Sequence, residues 1–173
     1  IDLSKENKSY LPYIVQGNKI LTKVLNNEQE KDYINLSYTL AVYKQKETDI
    51  FDSIGKKIAY LGTIKKLVPG GYLVLLDEVE TFMPGSLAGV NKLHDFDVML
   101  GQTVLVMPVN FERNNIVVSH REYLHTLIPG KIEDLREDPK KKFTGSVTGS
   151  TPYGIFCEFN DCLTGMILST DLD

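Results

Sequence analysis

The sequence predicts an all-β chain of consecutive five-stranded barrels, one complete and flanked by two partial ones, joined by short helical linkers. Three observations predict it. Short apolar stretches alternate with period two, glycine- and proline-marked turns separate them, and the same order of elements recurs at nearly constant spacing.

The recurrence rests on two pairs of segments. Gly101 to Ser119 reads as a hairpin, with Val104, Val106 and Pro108 on one face of its first strand and Ile116 and Val118 on one face of its second. Arg113-Asn114-Asn115 supplies the turn. Gly17 to Ser37 is the same unit with a longer turn, again opening on glycine and ending in serine. In the second pair, Ile58 to Val74 matches Phe143 to Phe156: a strand with an early glycine, a proline-glycine turn, a second strand. Gly17 and Gly101 stand 84 positions apart, Gly62 and Gly145 83 apart. A shared period across unlike landmarks marks a tandem domain.

Residues 1–10 then form a lead-in, 11–38 the last two strands of a preceding barrel, 39–55 a linker, 56–120 the complete barrel, 121–141 a second linker, and 142–173 the first strands of a third. The complete barrel takes strands at 58–67, 71–77, 79–83, 102–109 and 115–119, with 84–100 as the long crossing. Five strands and one long crossing suit the OB barrel. Short helices are expected at 49–55, capped by Asp49 and stopped by Gly55, and at 131–139, ended by Pro139.

With 42% hydrophobic and 24% charged residues, the composition is that of a folded soluble protein. No stretch approaches the ~18 consecutive apolar residues of a membrane-spanning helix. The opening Ile1-Asp2-Leu3-Ser4-Lys5 is neither a signal nor a transit segment, and without an initiator methionine the chain is expected to be a window on a longer protein. Two cysteines cannot build a disulfide framework, which points to a reducing compartment. A net charge of −4 means that any nucleic-acid contact comes from a local patch or from stacking.

Gly70-Gly71-Tyr72, Phe82-Met83-Pro84-Gly85-Ser86-Leu87 and Arg113-Asn114-Asn115-Ile116-Val117-Val118-Ser119 closely resemble the second repeat of the bacterial ribosomal protein S1 family. Gly145-Ser146-Val147, the run Thr151 to Phe156, Leu163 to Met166 and Ser169 to Leu172 resemble the opening of that family's third repeat. The likeness is clear over 55–173. It implies S1-type OB domains, of which early ones dock on the small ribosomal subunit and later ones hold single-stranded messenger RNA for initiation. It further implies two aromatics and a histidine facing the RNA. The aromatic positions fall on Tyr153 and Phe156 and the histidine position on Leu168; in the complete barrel the second aromatic position is Leu73 and the histidine position Pro84.

Tyr153 and Phe156 are therefore the first candidates, since bases stack on aromatic faces without regard to sequence; the competing reading puts Phe156 in the barrel interior. Lys65 and Lys66, of which alternation lets only one face a groove, form with His120 and Arg121 a candidate phosphate patch or simply scattered solvated charge. The run Lys140-Lys141-Lys142 is either a local positive field or a solubilising linker. At least one of Tyr60 and Tyr72 is expected in the core or an interface.

Catalysis and metal binding are not expected. Ser86 has no base and orienting carboxylate in any recognisable spacing. Cys157 and Cys162, flanking a turn at Asn160-Asp161, lack the two further ligands of a closed zinc site, and His94, His120 and His125 show no ligand spacing. Asp95 and Asp97 read as surface acids. The expectation is a non-enzymatic translation component without cofactor, cytoplasmic and ribosome-associated (or in an organelle matrix). Its partners are single-stranded RNA and ribosomal proteins or ribosomal RNA, with no membrane and no small-molecule substrate. Over 53–122 seven Lys/Arg balance seven Asp/Glu, so a protein–protein adapter is the alternative, as is the RNA-binding repeat of a larger RNA-processing or replication assembly.

Overall fold

A computed structural model describes residues 16–25, 34–90, 96–138, 140 and 142–172. The expected lead-in at 1–10, the long turn at 26–33, and His94, Asp95, Pro139 and Lys141 lie outside the described residues. The chain divides into two compact units, Ile1–Asp52 and Ser53–Asp173.

In the first unit β1 (Lys23–Val24) pairs antiparallel with β2 (Leu36–Ser37), and α1 (Tyr38–Asp52) follows at once. The Leu40 amide donates to Ser37 Oγ at 3.1 Å, so the serine that ends the strand occupies the orphan donors of the helix's first turn.

The second unit opens with β3 (Tyr60–Val68), β4 (Gly71–Leu76) and β5 (Val79–Pro84), an antiparallel meander. Asp77 and Glu78 turn the second hairpin at φ 45° and 76°, the left-handed conformation that a two-residue turn requires at both positions. A crossing with two short 3₁₀ turns, Gly85–Leu87 and Asp97–Met99, leads to β6 (Thr103–Glu112) and β7 (Asn115–Ser119). The strands wrap in the order β3-β4-β5-β7-β6, and β3 pairs with β6 as well as with β4. The β5–β7 seam is a single parallel pair, Phe82 with Val117. Alternation sends Ile64, Tyr72, Val74, Leu76, Val79, Met83, Val106 and Val118 inward, each at most 1% exposed. Tyr72, expected in the core or an interface, is fully buried.

α2 (His120–Glu137) leaves β7 directly, with Ser119 Oγ accepting from the Glu122 amide at 3.0 Å. Beyond it β8 (Gly145–Thr151), β9 (Gly154–Phe159) and β10 (Leu163–Leu168) form an open three-stranded antiparallel sheet, closed by a 3₁₀ turn at Ser169–Asp171. Leu124 of α2 packs with Cys162 and Leu163, joined by Tyr123, Leu127, Ile128, Leu135, Phe159 and Val90. Lys131 of the same helix donates to the Asn160 carbonyl and stands 3.2 Å from Asp161.

The expected architecture needs correction. The chain is mixed α and β, because helices of 15 and 18 residues replace the short helical linkers expected at 49–55 and 131–139. Asp49 lies inside α1, and Pro129, whose ring and missing donor normally break a helix, lies inside α2. Along the chain, among the described residues, a two-stranded ladder precedes the middle strands and an open three-stranded sheet follows them. In the middle, five strands run in the order β3-β4-β5-β7-β6 with β3 also paired to β6, and the mixed sheet's β5–β7 seam is one parallel pair wide.

The repeat is visible in backbone detail. β3 carries a bulge at Lys65, between Ile64 and Lys66, and β8 carries one at Thr148, between Val147 and Gly149, 83 positions on. Asn160 and Asp161 take positive φ as Asp77 and Glu78 do, again 83 apart. Cys162 then lengthens the second turn by one residue, since Phe159 pairs with Leu163 where Leu76 pairs with Val79, and the offset becomes 84. The 3₁₀ turns at Gly85–Leu87 and Ser169–Asp171 keep that larger offset.

Candidate nucleic-acid interface

The offset assigns the faces of the three-stranded sheet. Ile155, Cys157 and Phe159 stand where Tyr72, Val74 and Leu76 line the middle core, so Phe156, between them in the alternation, points to the opposite, outer side. There it pairs with Met166 across β10 and with Gly149 across β8. Gly149 places no side chain over the ring, and a Cβ built there meets nothing within 4 Å.

Phe156 is 38% exposed, Met166 45%, and Tyr153, in the turn ahead of Gly154, 76%. The Ser169 amide donates to the Tyr153 carbonyl at 3.0 Å and fixes that turn against the end of β10. Gly154 is obligatory, because a Cβ would lie 2.2 Å from the Ile167 carbonyl oxygen. Two aromatic side chains thus stand on one hairpin outside the core-forming alternation. Glu158 follows Phe156 on the outer side and places a carboxylate near that face.

The cationic candidates differ in how they are held. The bulge at Lys65 breaks the alternation, so Lys65 and Lys66 are both exposed, against the expectation of opposite faces. His120 Nδ1 lies 2.7 Å from the Leu105 carbonyl oxygen, and its ring stacks on Tyr123. Arg121 donates from Nε to the Gly89 carbonyl at 2.8 Å and from Nη2 to the Val90 carbonyl at 3.1 Å. These two residues tie β6 and the crossing to the start of α2. Lys140 and Lys142 are exposed in the segment before β8.

Sequence reasoning missed Phe82. Leu73, at the position of Phe156, pairs with Phe82 on β5 and Lys66 on β3. The middle sheet therefore has an aromatic in that outer row, supplied by the neighbouring strand and flanked two strands away by a lysine. Only the cross-strand register discloses it.

Cys157 and Cys162 are free thiols, and among the described residues no group of three or more His, Cys, Asp or Glu side chains could hold a metal ion. Burial, first, and the acids Asp161 and Glu158 push the Cys162 thiol above its ordinary value, with Lys131 acting in the other direction. A neutral, inward thiol is a packing group.

No family model matches the chain. It is similar to small ribosomal subunit protein bS1 of Neisseria meningitidis, 32% identical over 117 residues, covering 64% of this chain and 20% of that protein. The bS1 proteins of Pseudomonas aeruginosa and Chlamydia trachomatis are 30% and 31% identical over 115 and 117 residues, with the same shares covered. Among solved structures, a chain of the a/eIF2alpha–aDim2p–rRNA complex from Pyrococcus horikoshii matches with a TM-score of 0.36 at 21% identity, covering 48% of this chain and 54% of that one, a likeness too slight to carry weight. The curated relatives all carry the name of a small ribosomal subunit protein. The chain spans about 20% of the length of the curated relatives it matches, and over about 64% of its own length it is homologous to bacterial small ribosomal subunit protein bS1.

Proposed function

We propose that this chain is part of a non-enzymatic translation component of the small ribosomal subunit, cytoplasmic and ribosome-associated, that holds single-stranded messenger RNA for initiation. The outer face of the three-stranded sheet is the RNA contact, with Tyr153 and Phe156 as stacking platforms and Lys140, Lys141 and Lys142 as neighbouring positive charge. Residues 11–38, 56–120 and 142–173 are three successive modules of one repeat. The earlier part of the chain serves docking to ribosomal protein or RNA, and Lys65 and Lys66 offer phosphate contacts.

The observation that carries this reading is the placement of Tyr153 and Phe156 on one hairpin, exposed and outside the core alternation, at the family's aromatic positions. The mechanism is weak multivalent capture: stacking is sequence-tolerant, and linked modules raise the effective concentration for the next contact. A net charge of −4 and the nearby Glu158 keep each contact weak and modest in salt dependence. In a fluorescence-anisotropy titration with a single-stranded oligouridylate, Tyr153→Ala and Phe156→Ala are each expected to weaken binding about fivefold or more. Unchanged affinity in both variants would remove RNA from this face.

A second reading has its own support. His120 through Nδ1 and Arg121 through Nε and Nη2 bond to backbone carbonyls, and charge balances over 53–122, which suits a protein–protein adapter. Retained small-subunit association without RNA binding would favour it.

A further inference from the structure

The middle five-stranded sheet carries an open cleft at one end, lined by Leu67, Gly70, Gly71, Gly85, Phe96 and Arg121 among others. Its position follows from the repeat. Gly70 stands where the three-stranded sheet has Tyr153, 83 positions on, so the aromatic side chain that covers the turn there is missing here. Gly70 has φ +87° and Gly71 would press a Cβ to 2.1 Å from the Met83 carbonyl oxygen, so backbone alone forms the floor at both.

The walls are aromatic and apolar. Phe96 reaches in from the crossing, and a Cβ on Gly85 would come within 2.6 Å of its ring, so the ring lies directly over glycine backbone. The buried Tyr72 donates from its hydroxyl to the Phe96 carbonyl at 2.9 Å, which fixes the residue at the rim. The tip of the Phe82 ring stands 4.0 Å from where a Gly70 Cβ would be. Among the described lining residues Arg121 is the charged group and none is a carboxylate. Arg121 is already oriented by its bonds to Gly89 and Val90, so its guanidinium meets a ligand with little ordering cost.

We propose that this cleft is a nucleotide subsite of the middle module: a base of single-stranded RNA lies against Phe96 over the glycine floor, and its adjoining phosphate meets Arg121. A planar apolar ring beside an anion matches an aromatic wall beside a lone guanidinium, and bases stack on such walls whatever their identity. The module lacking an aromatic at Leu73 thus gains one from the crossing, beside the one that Phe82 supplies. This inference rests on the RNA-holding reading but names a different surface, so the two can fail separately.

The test uses the full 173-residue chain and a 12-nucleotide oligouridylate, with binding followed by anisotropy and by the backbone amide resonances of Gly70, Gly71 and Gly85. Those three amides are expected to shift on titration in the unmutated chain. Phe96→Ala is expected to weaken binding about tenfold and Phe96→Trp to preserve it. Unmoved glycine amides, with affinity lost only in Phe156→Ala, overturn the subsite and leave the proposed face intact. Shifted glycine amides with Phe156→Ala silent support the subsite and overturn the face. An absence of RNA binding overturns both.

Discussion

Two glycines 83 positions apart, Gly71 and Gly154, hold the same post at the start of β4 and of β9. A Cβ at either would stand 2.1 or 2.2 Å from the carbonyl oxygen of the facing strand. Gly71→Ala and Gly154→Ala are therefore expected to cost about 1–3 kcal/mol each, as overpacking does, read as a lower denaturant midpoint. Gly130, inside α2 with open space around its Cβ position, is the internal contrast: Gly130→Ala is expected to stabilise by about 0.5–1 kcal/mol. Cys162 is 1% exposed and its thiol is pushed up by burial, so Cys157 is expected to react first with a thiol reagent in the folded chain. Faster labelling of Cys162 would show that α2 does not cover it. Because the folded pKa is raised, Cys162's contribution to stability is present below the ordinary thiol value of 9.0 and is lost as pH rises beyond it. Some of the candidate site was legible at this scale. The aromatic pair was readable from its place beside Gly154, but the exposure of both Lys65 and Lys66 was not, because a bulge obeys no period-two rule. Arg121 looked like a free cation, since nothing in a sequence tells which carbonyls a side chain will meet.

At the scale of elements, the strands of the middle module were legible within a few residues, because alternation and turn residues act locally. The helices were not. The Ser119 cap that starts α2 went unread because Pro129-Gly130 interrupts the helical pattern, and Asp49 reads as a cap although α1 begins eleven residues earlier. Tertiary packing decides for α2: Leu124, Leu127, Ile128 and Leu135 bury one face against Phe159, Cys162 and Leu163 on both sides of the proline. Leu124→Ala is expected to destabilise the unit Ser53–Asp173 by about 2–5 kcal/mol through a cavity, and Ser119→Ala by about 1 kcal/mol through loss of the cap, both measured by chemical denaturation. A neutral result for Leu124→Ala would mean that the helix does not anchor the three-stranded sheet. Register, too, was beyond the sequence: Phe82 enters the outer row only because β5 pairs with β4 as it does.

For the whole molecule, the period of 83 to 84 residues is the organising fact, and one extra residue at the β9–β10 turn accounts for the change within the paired sheets. The repeat was legible because glycines with positive φ or close backbone contacts leave fixed marks in sequence. On the proposed role in RNA capture, affinity comes from linkage rather than from charge, and the net −4 predicts weak binding with a shallow salt dependence. The most direct test of RNA held on the outer face of the three-stranded sheet is photocrosslinking of the chain to 4-thiouridine-substituted single-stranded RNA, with the modified peptides mapped. The account predicts crosslinks at Tyr153 and Phe156; crosslinks confined to the inward row of Val147, Ile155 and Ile167, or to residues before Ser53, would contradict it.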